Sequence, residues 1–143
     1  MLKGLDPLLG PDLLATLRAM GHGDEIAVVD ANFPAQANAR RLFRADGIDA
    51  VAMVRAVLSV LPLDDFVPNA ALRMAVVDAP EVVPPVIDAF GAELTAVGYT
   101  GEIAALERHA FYERARSAFA IIATGELRLY GNLILVKGVI RPD

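Results

Sequence analysis

The sequence predicts an α/β fold, a single layered domain in which a mixed β-sheet is flanked by helices. Three observations carry this expectation. Continuous apolar runs at Glu25–Asp30, Leu72–Val77, Phe119–Ala123 and Leu133–Ile140 have the character of core strands. Between them lie stretches whose apolar residues recur at helical intervals. The last two strands are joined by the short turn Thr124-Gly125-Glu126, which points to a mixed rather than an all-parallel sheet. At 143 residues the chain has the length of one such domain, and it contains no internal repeat, low-complexity tract or linker.

Each element has its own signal. Leu5–Met20 places Leu9, Leu13, Leu14, Leu17 and Met20 at helical spacing, with Pro11 and Asp12 suited to a first turn and Gly21 to a stop. Glu25–Asp30 is a strand buried on both faces, broken by Asn32-Phe33-Pro34. Arg40–Asp46 alternates as a second strand and Gly47 closes it. Ile48–Leu61 repeats Val51, Val54, Val57, Leu58 and Leu61 as a helix that Pro62 ends. Leu72–Val77 is a further strand before the proline-containing turn Asp78–Pro85. Val86–Val97 and Leu106–Ser117 are helical, Phe119–Ala123 is a short strand, and Leu133–Ile140 is the last core strand.

Composition excludes several partners. A net charge of -5 without a basic cluster argues against nucleic acid, whose binding rests largely on phosphate neutralisation. No run approaches the ~20 uninterrupted apolar residues of a membrane span. The N-terminus lacks the pattern of a secretory signal, so a cytoplasmic protein is expected. With no cysteine, disulfides and thiolate metal sites are ruled out. Because 55% of the residues are apolar, some apolar surface is expected to be covered by other subunits. A small neutral or weakly polar ligand remains the simpler partner.

The stretch Met20–Pro34 holds most of the candidate chemistry, because His22, Asp24 and Glu25 precede the apolar run Ile26–Val29 and Asp30 follows it. Imidazole titrates near neutrality, where one group can both give and accept a proton. Gly21 and Gly23 leave room for a ligand beside His22, and Asp24 is close enough in sequence to orient the ring. Asp30, at a strand end, is placed either to face a crevice or to form an Asx turn. A metal site from His22, Asp24 and Asp30 fits no zinc spacing, and G-H-G-D lacks the third glycine of a dinucleotide loop. The residues themselves thus give a metal site or a dinucleotide loop little support. Arg108 heads a helix whose other charges, Glu107, Glu113, Arg114 and Arg116, suit a solvated face. Tyr130-Gly131-Asn132 sets a phenol, a flexible joint and an amide before the last strand, groups suited to sugar hydroxyls or to a plain turn.

Together these pieces resemble the fucose mutarotase and ribose pyranase family of bacterial sugar-catabolic operons. The matching segments are G-H-G-D-E-I at Gly21–Ile26, V-D-A-N-F-P at Val29–Pro34, R-A-D-G at Arg44–Gly47, A-F-Y-E-R-A at Ala110–Ala115, T-G-E at Thr124–Glu126 and Y-G-N at Tyr130–Asn132. The aliphatic ending L-I-L-V-K-G-V completes the order, and the segments run nearly end to end. The resemblance implies a ribose pyranase-like fold over residues 1–143 and cofactor-free interconversion of sugar anomers. It also implies ring-like homo-oligomers, typically decamers, with sites near subunit interfaces. It implies His22 as the catalytic acid/base and Asp30, Arg108, Tyr130, Gly131 and Asn132 as sugar-binding positions, with Asp24 and Tyr112 in support. Arginine at 108, the F-Y-E-R stretch and Y-G-N point to the fucose branch, and L-fucose is the expected sugar. Asn32 and His109 depart from the D-A-H-F-P and R-F-A-F-Y of fucose-type relatives, so an acid/base role at position 32 has no support. Tyr130 is expected to be a second proton carrier or a donor, and an unperturbed phenol pKa near 10 makes donation easier. Pyranose–furanose exchange and plain sugar binding are the alternatives.

Overall fold

The computed structural model describes residues 1–143. Its first helix, α1 (Pro11–Ala19), is shorter than the spacing alone predicts. Asp6 accepts from the Leu8 and Leu9 amides to make a turn, and the Pro11 ring cannot lie inside a helix that began at Leu5. Strand β1 (Glu25–Val29) follows, then α2 (Ala35–Asn38), β2 (Leu42–Ala45), α3 (Ala50–Leu58), β3 (Ala71–Met74), α4 (Pro85–Ala96), β4 (Ile103–Leu106), α5 (Arg108–Ser117), β5 (Ala120–Thr124) and β6 (Leu133–Val136). Asp49 caps α3 by accepting from the Ala52 amide. No helix is long and apolar enough to cross a membrane.

The six strands form one sheet in the order β2-β5-β1-β6-β3-β4. Strand β6 is antiparallel to β1 and β3, and every other pair is parallel. The sheet is therefore mixed, as expected, but for a different reason. β5 and β6 do not pair with each other; they flank β1, and residues 125–132 step across its C-terminal end.

Ile26 through Val29 are fully buried because helices cover both faces of the sheet. Ile26 and Val28 pack with Leu13 and Leu17 of α1, Met53 and Val54 of α3, and Phe90 of α4. Ala27 and Val29 pack on the other side with Phe33, Ala35 of α2 and Phe111 of α5. Burial of this kind contributes roughly 25 cal/mol per Å² of apolar surface, and it explains why a strand with no polar alternation occupies the centre. β6 ends at Val136 rather than Ile140; beyond it Lys137 forms an isolated bridge to Leu63, and Ile140 is exposed.

Candidate active site

Five strands point one way and β6 the other, so the C-terminal ends of β1 to β5 share one sheet edge with the segment that enters β6. Asp30, Arg108, Glu126 and Tyr130–Asn132 all lie at that edge. His22, Asp24 and Asp64 lie at the opposite one. From Asp24 to Asp30 is six residues of extended chain, about 20 Å at ~3.3 Å per residue. One chain thus does not bring His22 together with Asp30 and Tyr130, and His22, Asp24 and Asp30 do not converge as a metal site would require.

At the Asp30 edge the crossover from β5 to β6 builds the geometry. Asp30 is 5% exposed; its amide donates to Asn132 Oδ1 at 2.9 Å, and its Oδ2 accepts from Asn132 Nδ2 at 3.0 Å. Its Oδ1 accepts from the Asn32 amide at 2.9 Å, so the Asx turn and the strand-end position hold together. Burial pushes the Asp30 carboxyl above its ordinary value, against the hydrogen bonds from the Asn32 amide and the Asn132 side chain. Tyr130 sits at φ +63°, and its hydroxyl oxygen accepts from the Val77 amide at 3.1 Å. That leaves the phenolic proton available to a ligand.

Two expectations about glycines change. The positive φ falls on Tyr130 and not on Gly131, where a Cβ would come within 2.7 Å of Glu126 Cγ. Gly131 permits a close approach rather than acting as a joint. Likewise Gly23, at φ +84°, makes the turn after α1, and Gly21 does not.

Arg108 is the exposed first residue of α5, whose N-cap Glu107 accepts from the His109 and Ala110 amides at 2.8 and 3.1 Å. Tyr112, half-buried, packs edge-on against Phe33 with ring centroids 5.3 Å apart, and His109 lies 6.4 Å from the Tyr112 ring. A cleft of about 300 Å³ beside Asp30 is lined by Phe33, Gln36, Arg44, Asp46 and Thr124.

At the other edge the imidazole of His22 is oriented by Asp64, not Asp24. His22 Nε2 stands 2.9 Å from Asp64 Oδ1, whose side chain is 2% exposed, while the His22 side chain is 44% exposed. Asp24 instead turns back, its Oδ2 accepting from the Gly21 amide at 2.7 Å. With Nε2 engaged by Asp64, Nδ1 is the ring nitrogen left without a partner in the chain. The Phe66 ring lies 5.0 Å from the imidazole, and the Phe66 amide donates to the same Asp64 oxygen. Lys137 braces the turn from beneath, donating from Nζ to the Leu17 and Met20 carbonyls and from its amide to Asp24. Sequence reasoning missed Asp64 because it is 42 residues from His22. Glu126 was visible only as part of T-G-E.

Known proteins of the same pattern match nearly the whole chain. The fucose mutarotase of Bos taurus is 45% identical over 148 residues, covering 99% of this chain and 96% of the relative. The L-fucose mutarotase of Haemophilus influenzae (strain 86-028NP) is 42% identical over 140 residues, covering 97% of each. The crystal structure of the fucose mutarotase from Streptococcus pneumoniae in complex with L-fucose superposes with a TM-score of 0.90 at 39% identity, covering 98% of this chain and all of the other. The model of the RbsD / FucU transport protein family matches residues 3–140. The chain belongs to the RbsD / FucU family.

Proposed function

We propose that this protein interconverts the α and β anomers of a monosaccharide, L-fucose above others, by acid/base ring opening and reclosure at a site shared by two subunits. The observation that carries the second half of this reading is the separation of His22 from Asp30 and Tyr130 by the length of β1. Mutarotation needs a proton delivered to the ring oxygen while another leaves the anomeric hydroxyl. The aldehyde then rotates about one C–C bond and recloses. His22, held through Nε2 by Asp64, is the proton carrier. Asp30 and Asn132 accept and donate to hydroxyls, Tyr130 donates its phenolic proton, and Arg108 binds or polarises the sugar. No redox step is involved.

A contact between the His22 edge of one subunit and the Asp30 edge of the next completes the constellation. Both edges carry apolar rims that favour such a contact: Phe66 and Ile140 are 65% and 83% exposed at one, Leu127 and Leu129 are 83% and 65% exposed at the other. A contact between two different surfaces is heterologous, and it forms a ring where the rotation between successive subunits closes. Two stacked rings give the decamer that the family resemblance implies. The protein acts in the cytoplasm, where monosaccharides are catabolised.

Exchange NMR on L-fucose at anomeric equilibrium, with an enzyme-free control, tests the reading. His22→Ala is expected to slow catalysed exchange by roughly 10²–10⁴-fold, the usual weight of general acid–base catalysis, with the fold intact. An unchanged rate removes His22 from the mechanism, and sugar binding without accelerated exchange in the unaltered protein points to a binding module instead.

A further inference from the structure

We propose that Glu126 is the positioning residue of the sugar-binding edge, fixing both Asp30 and the Tyr130–Asn132 segment through one buried carboxylate. Glu126 is 3% exposed, and four donors of the chain itself occupy its oxygens. Oε1 accepts from the Arg128 amide at 2.9 Å and from Arg128 Nε at 2.8 Å; Oε2 accepts from Arg128 Nη2 at 2.9 Å and from the Ala50 amide at 3.3 Å. With its oxygens so engaged, Glu126 acts through its neighbours rather than on the sugar.

The anchor is rigid. Ala50 opens α3, whose Ala50, Val54 and Val57 are fully buried, and a carboxylate at a helix N-terminus is favoured by the amides and dipole there. From this anchor Glu126 reaches both halves of the sugar edge. Its backbone carbonyl accepts from the Ala31 amide at 2.9 Å, which ties down the residue after Asp30. Its Cγ lies against Gly131, close enough that an added Cβ would stand 2.7 Å away, so the residue between Tyr130 and Asn132 is seated on it. Its own amide donates to Thr124 Oγ1 at 3.3 Å, and that hydroxyl donates to the Val29 carbonyl at 2.7 Å, closing the link to the end of β1.

Such a brace is needed at this place. Tyr130 holds a left-handed φ that a non-glycine residue leaves unless its surroundings fix it. Asp30 and Asn132 must also keep a reciprocal pair across two chain segments.

The inference rests on the proposed sugar site for its activity readout only. Glu126→Ala and Glu126→Gln are compared with the unaltered chain by L-fucose exchange NMR and by amide hydrogen exchange. Glu126→Ala is expected to lower kcat/KM by about 10²-fold, the effect of ångström-scale misplacement. Glu126→Gln keeps Cγ and one acceptor oxygen and is expected to recover about tenfold of that loss. Protection falls at Ala31, Val77 and Asn132 while Val28 and Ile121 keep theirs. Unchanged kcat and KM with unchanged protection at Ala31 and Val77 overturns the proposal. So does a lower melting temperature with wild-type kcat and KM and uniformly reduced protection, which is the signature of a purely structural residue. If the unaltered chain does not accelerate exchange, the sugar reading fails, while protection at Ala31 and Val77 still decides the role of Glu126.

Discussion

On the two-subunit reading, two inactive variants restore each other. His22→Ala keeps an intact Asp30 edge, and Asp30→Asn keeps an intact His22 edge, because the two positions lie beyond opposite ends of β1, with about 20 Å of extended chain from Asp24 to Asp30. Each variant alone leaves a defect in every site. When the two are co-expressed in equal amounts and assemble at random, a site works if His22 comes from an Asp30→Asn subunit and the sugar edge from a His22→Ala subunit. Each condition is met half the time, so about one quarter of the sites regain both groups, as expected for a closed ring of heterologous contacts.

The contrast is large. Each parent is expected to fall roughly 10²–10⁴-fold, whereas the mixture returns to about one quarter of the wild-type rate. Differently tagged copies allow mixed rings to be isolated by sequential affinity steps, native mass spectrometry counts the subunits, and exchange NMR on L-fucose reads the rate. A rate in verified mixed rings no higher than the mean of the parents refutes the shared site and returns His22 and Asp30 to separate roles.

Two further outcomes follow from particular contacts. Asp64→Asn removes the carboxylate that aims the His22 imidazole, so kcat is expected to fall by about tenfold to a hundredfold with little change in KM, and an unchanged kcat shows that the ring needs no such partner. Hydrogen bonds from the Arg128 side chain hold Glu126 down to about 2, against an ordinary 4.5. A carboxyl depressed in the folded state stabilises above its unfolded pKa and loses that contribution as pH falls toward its folded one. The melting-temperature advantage of the unaltered chain over Glu126→Gln is therefore expected to shrink between about pH 5 and pH 2, and a constant difference across that window refutes the assignment.

Much of the fold was legible in the sequence because burial imposes periodicity. The helix through Val54 and Val57 and the doubly buried strand through Val28 both show in the pattern of apolar residues. Strand β4 did not, since I-A-A-L is short and its two alanines have little strand preference; pairing with β3 makes it a strand. The four residues of α2 gave no periodic signal for the same reason of length. At the site, residue types were legible and partners were not. Asp24 lies beside His22 in sequence, yet its carboxylate closes the local turn on Gly21, and the imidazole takes a carboxylate that only tertiary folding delivers. The register of the crossover was equally hidden, because a three-residue turn signal cannot say that the chain then passes over a third strand.

That crossover has a consequence for how the proposed reaction is controlled. A strand packed on both faces behaves as a stiff rod, and its two ends cannot approach each other without unfolding the core. On the two-subunit proposal, the proton carrier at one end and the hydroxyl-binding groups at the other meet only when two copies dock, so the interface sets the distance between acid and sugar. The loops carrying each half are braced within their own subunit, by Lys137 under the His22 turn and by Glu126 under the Tyr130 segment. On the same proposal each half is preorganised before assembly, and ring closure supplies only their relative placement. On this reading dissociation removes the acid from the sugar while leaving both half-sites folded, which makes activity per subunit follow the population of closed rings rather than the stability of the chain.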